Sequence, residues 1–201
     1  MAPNPLLAIE SYSEFAEALR NSNCQKCGLG ASRSKIVVDR GNYAAKMMVL
    51  GEAPGEKEDK QGKAFVGRAG QLFDRVMQSI GLDTNEDMLI ANIAKCRPPG
   101  NRAPKKEEAM ACLPYLIHQI HLVNPKIIVL LGATALRTLD PTKKKFSMAE
   151  ESGKFFKLDP YPGCAFMVLY HPAALLYNSK LKVPMIEHAR KLKEYLTLIL
   201  R

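Results

Sequence analysis

The chain has 201 residues, 47% hydrophobic and 24% charged, a composition typical of a soluble globular protein with a core of its own. It contains no apolar run long enough for a membrane span, and its start, MAPNPLLAIE, lacks the basic and apolar regions of a secretory signal. These features argue against an integral membrane or secreted protein and predict a cytoplasmic location. The formal net charge is +9, which indicates either a solvated basic surface or a polyanionic partner.

Apolar periodicity and helix-end signals predict five helices and four strands. In chain order they are helix 11–22, strand 46–50, helix 67–82, strand 87–93, helix 105–123, strand 126–132, helix 133–139, strand 165–170 and helix 183–200. Pro104 is well placed to start the third helix, whereas Pro114 falls inside it and is expected to kink or divide it. Residues 140–162 are predicted to form a loop, with a small hairpin around the sequence KFFKL.

Helices and strands alternate, and the strands are apolar throughout, which favours an α/β fold with a parallel sheet covered on both faces. We expect residues 1–201 to form a single domain. In such folds, ligands bind beyond the carboxyl ends of the strands. The segments that follow the four strands should therefore converge at one edge of the sheet; they are the loop 51–67, Asn92, Gly132 and His171.

Two of the loops have unusual compositions. The loop 51–67, GEAPGEKEDKQGKAFVG, contains four glycines and four acidic residues. The glycines indicate that a ligand approaches the backbone, whereas the acidic residues argue against a phosphate that is bound by charge alone. The segment 95–106, KCRPPGNRAPKK, contains five basic residues and no acidic one, which suits contact with phosphates.

The chain has five cysteines, four of which have the spacing of a metal or cluster site. Cys24 and Cys27 form a C-x-x-C pair, and fifteen residues separate Cys96 from Cys112. Because a zinc ribbon repeats the close pair, this set suits a four-cysteine iron–sulfur cluster at least as well as zinc. Buried packing is the alternative for Cys112, and Cys164 is interpreted as a packing residue.

The sequence resembles the family 4 uracil-DNA glycosylases, the iron–sulfur members of their superfamily, from about Cys24 to Leu196. The resemblance is carried by the four cysteines and by four segments in order: GEAPGEKEDKQGKAFVGRAGQLFD, NIAKCRPPGNRAP, LLGATAL and YHPAALLYN. It implies a three-layer α/β/α fold with a central four-stranded parallel sheet and a 4Fe-4S cluster on Cys24, Cys27, Cys96 and Cys112. It also implies excision of uracil from single- or double-stranded DNA by a monomer, leaving an abasic site.

The resemblance assigns roles to the residues of these segments. It implies that a flipped uracil stacks on Phe65, that Asn92 reads its edge, and that His171 stabilises its anion. Glu52 is the first candidate to orient water or stabilise the sugar cation. The remaining implied substrate contacts are Gly51, Ala53, Glu58 and Leu175. The backbone of Gly51 would let the ligand approach, and Ala53 stands where other superfamily members have an aspartate. Glu58 would exclude the methyl group of thymine, and Leu175 would enter the duplex.

The sequence is also compatible with several alternatives. Phe65 and Leu175 could be ordinary core residues, and Glu58 with Asp59 could form a solvated acidic turn. Tyr177 replaces the basic residue that the family pattern has, which puts a local phosphate contact in doubt. The chain could also be a DNA-binding or redox module without glycosylase activity, or a related glycosylase that acts on a broader range of lesions.

Overall fold

The predicted strands lie together at the centre of one six-stranded sheet in the computed structural model, which describes residues 4–199. The strands are β1 (Arg40–Gly41), β2 (Met47–Gly51), β3 (Leu89–Asn92), β4 (Ile127–Leu131), β5 (Phe155–Phe156) and β6 (Ala165–Leu169). Their order across the sheet is β1-β3-β2-β4-β6-β5. The four predicted strands, β3, β2, β4 and β6, are mutually parallel, while β1 and β5 pair antiparallel at the two edges.

Eight α-helices occur within residues 4–199. They are α1 (Tyr12–Asn21), α2 (Glu56–Gln61), α3 (Arg68–Ser79), α4 (Lys106–Val123), α5 (Gly132–Leu139), α6 (Met148–Glu151), α7 (Pro172–Tyr177) and α8 (Lys182–Ile199). Short 3-10 turns cover Pro5–Ala8, Gly28–Ala31, Pro99–Asn101 and Ser179–Leu181. None of these helices has the combination of length and apolar character that crossing a bilayer requires.

Side chains alternate along each parallel strand between two separate cores. In β2, Met48 and Leu50 face a core built with helices α1, α4 and α5, whereas Met47 and Val49 face a core built with α3, α7 and α8. The period of two follows from the pleat of the strand, which sends successive side chains to opposite faces. The sheet is therefore the middle layer of an α/β/α sandwich, and the predicted three-layer fold with four central parallel strands is confirmed.

The five predicted helices are present with small shifts at their ends. The last residue of the predicted closing helix, Leu200, lies outside the described residues. Pro114 does not divide α4. It lies on the exposed side of that helix, where solvent can reach the carbonyl that loses its hydrogen bond.

The sequence prediction missed three short helices and the edge strand β1. Helix α2 lies in the segment 51–67, which the sequence predicted as a loop; it begins with acidic residues in its first turn and ends at Gly62, which has a left-handed φ of 76°. Helices α6 and α7 are only four and six residues long. The expected hairpin near KFFKL is β5, which pairs antiparallel with β6.

Candidate functional site

A cleft of about 520 Å³ opens at the carboxyl ends of the parallel strands. Strands β2 and β3 end side by side at the register partners Gly51 and Asn92, and His171 follows β6 directly before α7. Six of the eight predicted catalytic and substrate-binding residues line the cleft: Glu52, Ala53, Glu58, Phe65, Asn92 and His171. The expected convergence at one edge of the sheet is therefore confirmed for these six residues.

Phe65 is held in place by the backbone on either side of it. Its φ is +56°, a left-handed conformation that costs a residue with a side chain on the order of 1–3 kcal/mol and is concentrated at functional sites. A Cβ on Gly51 would lie 2.6 Å from two carbons of the Phe65 ring, and one on Gly70 would lie 1.9 Å from the Phe65 carbonyl oxygen. Both glycines are therefore required by the position of Phe65.

Gly51 does not itself line the cleft, and the approach of a ligand to its backbone stays a prediction. Its Cα lies beneath Phe65 and Asn92, where a Cβ would come within 2.5 Å of the amide oxygen of Asn92. Glycine is therefore required at position 51 because any larger residue would clash with the side chains of Asn92 and Phe65.

Asn92 lines the cleft, and one of its buried polar atoms is unsatisfied. The residue is 1% exposed, and within residues 4–199 its Oδ1 has no hydrogen-bond partner. A buried polar atom without a partner is destabilising, so it is normally matched by water or a ligand. The backbone carbonyl of Asn92 is fixed separately, since the ammonium group of Lys95 donates to it over 2.8 Å.

Lys95 is the first basic residue of the segment 95–106, which the sequence predicted as a phosphate-binding loop. The structure corrects this for Lys95, which is 1% exposed and points inward. Burial lowers its pKa to about 8, against the opposing effect of Cys112, Asp39 and Cys96. Of the remaining basic residues in the segment, Arg102 lines the cleft.

His171 caps the N-terminus of α7 with its own ring. The backbone N–H of Ala173 donates to Nδ1 over 3.2 Å, so Nδ1 is the acceptor and the ring proton belongs on Nε2. Burial lowers the pKa of His171, and the nearby carboxylate of Glu52 opposes this shift only in part. The ring is therefore a neutral imidazole with one N–H donor. Its centroid lies 6.0 Å from that of Phe65.

The two carboxylates of the loop differ in their partners. Glu52 lines the cleft and accepts a short hydrogen bond from the hydroxyl group of Thr134. Glu58 is buried, and its Oε1 accepts the backbone N–H of Gly67 over 2.6 Å. A Cβ on Gly55 would lie 2.8 Å from Oε2 of Glu58, so loop backbone encloses this carboxylate and Glu58 ties α2 to the start of α3.

Glu58 and its neighbour Asp59 are both buried, so the solvated acidic turn that the sequence left open is wrong. The carboxylate of Asp59 accepts the backbone N–H of Ser34 over 2.9 Å. Asp59 thereby ties α2 to the segment that precedes β1.

Leu175 does not face the cleft. It is 1% exposed and packs in the core between the sheet and helices α3 and α8, because its side of α7 faces inward. Leu175 is thus a core residue in this structure, and its entry into a duplex stays a prediction. The apolar side chains that α7 exposes are those of Leu176, 39% exposed, and Tyr177, 92% exposed.

The four candidate ligand cysteines are near enough to influence one another. Burial, with smaller contributions from the thiols of Cys112, Cys27 and Cys24, raises the pKa of Cys96 to about 12, and the nearby Arg33 opposes this shift in part. Cys112 accepts the backbone N–H of Lys95 over 3.4 Å. Among residues 4–199, no three His, Cys, Asp or Glu side chains are arranged to hold a single metal ion.

Three features of the site were not predicted from the sequence. Thr134, at the start of α5, contacts Glu52, although the segment LLGATAL carried no assigned role. Arg68, at the start of α3, lines the cleft beside the predicted residues. Arg102 is oriented by Glu108, whose carboxylate accepts from both terminal guanidinium nitrogens over 2.7 and 2.8 Å. All three residues lie in segments that the sequence analysis singled out, but only Arg102 had a predicted role, contact with phosphates as a basic residue of the segment 95–106.

Comparisons with known proteins show which family this chain resembles. The profile of the "Uracil DNA glycosylase superfamily" matches residues 38–196. A type-4 uracil-DNA glycosylase of Saccharolobus solfataricus is 44% identical, over 87% of this chain and 82% of its own length. Those of Thermotoga maritima and Archaeoglobus fulgidus are 39% and 37% identical, over 88% and 92% of this chain and 91% and 94% of their own lengths.

Proposed function

The chain belongs to the type-4 branch of the uracil-DNA glycosylase superfamily, and from this we propose that it excises uracil from DNA and leaves an abasic site. In the reaction, water adds to C1′ of the deoxyribose and the bond from C1′ to N1 of uracil breaks. Uracil leaves as an anion with the electron pair of that bond, and the proton that the water loses neutralises it, so the products are uracil and an abasic site. We further propose that residues 1–201 act as one monomeric domain on a base flipped out of the DNA.

The buried, unpartnered Oδ1 of Asn92 is the observation that carries this proposal. An amide side chain can accept from N3–H of uracil and donate to its O4 at the same time. Cytosine has an acceptor at N3 and an amino group at C4, so it would leave buried groups unpaired. The amide of Asn92 can therefore select uracil over the cytosine that it replaces.

Phe65 supplies a ring on which a flipped base can stack. A base that stacks on an aromatic ring gains about 1–3 kcal/mol. The left-handed backbone of Phe65, together with Gly51 and Gly70, fixes the ring before the base arrives. This preorganisation supports a role in binding rather than in core packing alone.

His171 can stabilise the charge that uracil gains as the glycosidic bond lengthens. Its neutral ring has a single donor, Nε2–H, because Ala173 occupies Nδ1. A donor aimed at O2 of uracil would act where the negative charge develops. The lowered pKa of His171 supports this neutral form of the ring at neutral pH.

Glu52 is the carboxylate best placed to orient the water or to stabilise the cationic sugar. Glu58 is enclosed by loop backbone and accepts a hydrogen bond from Gly67, so it is less free to bind water. Ala53 lines the cleft but has no group that could activate water. We therefore assign the electrostatic role to Glu52 and a loop-shaping role to Glu58.

We propose that Cys24, Cys27, Cys96 and Cys112 hold a 4Fe-4S cluster. The donor set is made of thiols alone, and the pKa of Cys96 responds to the other three. In such a cluster each thiolate binds a different iron, so the sulfurs stand farther apart than around one zinc ion. When bound, the cluster would cross-link the N-terminal segment to the segment 95–106 and to α4, a structural role.

Uracil release from labelled oligonucleotides tests the proposal directly. The purified, cluster-loaded protein should release uracil from single- or double-stranded DNA, and Asn92→Ala should lose most of that activity while remaining folded. DNA binding without any uracil release by the wild-type protein would contradict the proposal and favour a non-catalytic module. Faster release of hypoxanthine or ethenocytosine than of uracil would instead favour a glycosylase of broader specificity.

A second measurement tests the cluster. The purified protein should absorb in the visible blue and contain about four iron atoms per chain. Cys96→Ser should lower the iron content and DNA binding together, whereas Cys164→Ser, outside the proposed ligand set, should change neither. Stoichiometric zinc without iron would contradict the cluster.

A further inference from the structure

The sheet register brings the start of α5 against the catalytic loop. Leu50 of β2 pairs with Leu130 of β4, and because the two strands are parallel, both end at the same edge of the sheet. Glu52 comes two residues after Leu50, and Thr134 comes in the first turn of α5, which follows β4 directly. Neighbouring parallel strands thus place a hydroxyl group beside a carboxylate from a distant part of the sequence.

The hydroxyl group of Thr134 donates to Oε2 of Glu52. Both residues are half-buried, but only Glu52 lines the cleft, so Thr134 lies behind the carboxylate. With Oε2 occupied, Oε1 is the oxygen that remains for a water or sugar in the cleft. A hydrogen bond to a charged group is also stronger than one between neutral groups, so it restricts the rotation of the carboxylate.

The same junction between β4 and α5 contacts the second catalytic residue. Gly132 has a left-handed φ of 84°, and a Cβ there would lie 2.9 Å from Cβ of His171. The junction therefore packs against the backbone region of His171 while it holds the side chain of Glu52. One rigid turn at the end of a central strand contacts both residues that act on the glycosidic bond.

We propose that Thr134 is a positioning residue that fixes the carboxylate of Glu52 for the chemical step, an inference that rests on the proposed function. Uracil recognition depends on Asn92 and Phe65, which Thr134 does not touch. Loss of the hydroxyl group should therefore lower kcat and leave substrate affinity almost unchanged. The expected decrease in kcat is about 10- to 100-fold, the range for loss of a hydrogen bond to a charged group.

The experiment compares three threonine variants of the cluster-loaded protein. Thr134→Val removes the hydroxyl group at similar volume, Thr134→Ser restores it, and Thr138→Val is the matched control. Thr138 is a half-buried threonine of the same helix whose hydroxyl group bonds to the carbonyl of Thr134. Single-turnover uracil release gives the rate, and binding of a duplex with the non-hydrolysable 2′-fluoro-2′-deoxyuridine gives the affinity.

Thr134→Val should release uracil slowly and bind the duplex with an affinity within about twofold of wild type, which is a difference in binding free energy of roughly 0.4 kcal/mol. Thr134→Ser and Thr138→Val should keep rates close to wild type, and Thr134→Val should add no further loss to Glu52→Gln. The inference, but not the proposed function, would be overturned if Thr134→Val released uracil at the wild-type rate or if Thr134→Ser released it slowly. An equal loss of rate and affinity in Thr134→Val would overturn it as well. A wild-type protein that released no uracil would overturn the proposed function and this inference with it.

Discussion

Replacing Gly51 by alanine tests how tightly the recognition residues are packed. The new Cβ would lie 2.5 Å from the amide oxygen of Asn92 and 2.6 Å from the Phe65 ring, whereas ordinary van der Waals contacts begin at 3.4 Å. Asn92 must therefore yield by about 0.9 Å and Phe65 by about 0.8 Å. Phe65 has little room to do so, because Gly70 packs against its carbonyl group.

A displacement of this size is large for a preorganised site. Misplacement of a binding group by about 1 Å can lower activity by roughly 100-fold, and overpacking a buried site costs about 1–3 kcal/mol. We therefore expect Gly51→Ala to reduce kcat/KM for uracil release about 100-fold and to lower the free energy of unfolding by 1–3 kcal/mol. Steady-state kinetics and urea denaturation measure these two quantities.

The control is Gly163→Ala, where a Cβ would meet no atom within 4 Å. Its φ lies outside the left-handed region, so alanine should be neutral or slightly stabilising, by up to about 1 kcal/mol. If Gly51→Ala retained kcat/KM within about threefold of wild type, the pocket would tolerate the shift. The packing argument for Gly51, Phe65 and Asn92 would then be refuted.

Three further predictions concern pH and α7. Because burial lowers the pKa of His171 below its ordinary 6.5, the ring should stay neutral down to pH 6.5. The single-turnover rate should therefore stay constant as pH falls to 6.5 and decrease only at lower pH. A decrease that begins above pH 6.5 would contradict a neutral His171. The hydrogen bonds from Arg102 hold the pKa of Glu108 at about 2, against 4.5 ordinarily. The stabilisation of the fold by these hydrogen bonds should therefore be complete above pH 4.5 and be lost as pH falls toward 2. The free energy of unfolding, measured by urea denaturation, should depend less on pH over that range in Glu108→Gln than in wild type. An unchanged pH dependence would contradict the contribution of this pair. Leu175→Ala should destabilise the fold by about 2–5 kcal/mol, whereas Leu176→Ala should leave stability within about 0.5 kcal/mol and slow uracil release from duplex more than from single strands. The difference between the substrates tests whether Leu176, an exposed apolar side chain of α7, contacts the duplex, and equal slowing on both would rule this contact out.

The sheet and the strand-end residues were predictable because their signals are local. Each parallel strand is a short apolar run followed by a break, and parallel strands bring their carboxyl ends together. Asn92 and His171 could thus be placed at one edge from the sequence alone. The role of each residue came from the family resemblance and not from the pattern.

The features that were missed depend on contacts between distant segments. Lys95 stands in a basic run that suits contact with phosphates, but it is buried by packing near α4 and the end of β3. Leu175 and Leu176 are neighbours on a six-residue helix, too short for periodicity to identify the inward face. Thr134 gains its partner only because β4 lies beside β2.

The two edge strands affect the tendency of the protein to aggregate. Strands β1 and β5 contain two residues each, so they offer few free backbone donors and acceptors to another chain. Lys154 and Lys157 flank β5 on either side and are exposed. Short edges with nearby lysines oppose edge-to-edge pairing, the usual route from an open sheet to aggregation. The sheet can therefore keep its apolar parallel strands in the interior without serving as a template for fibres.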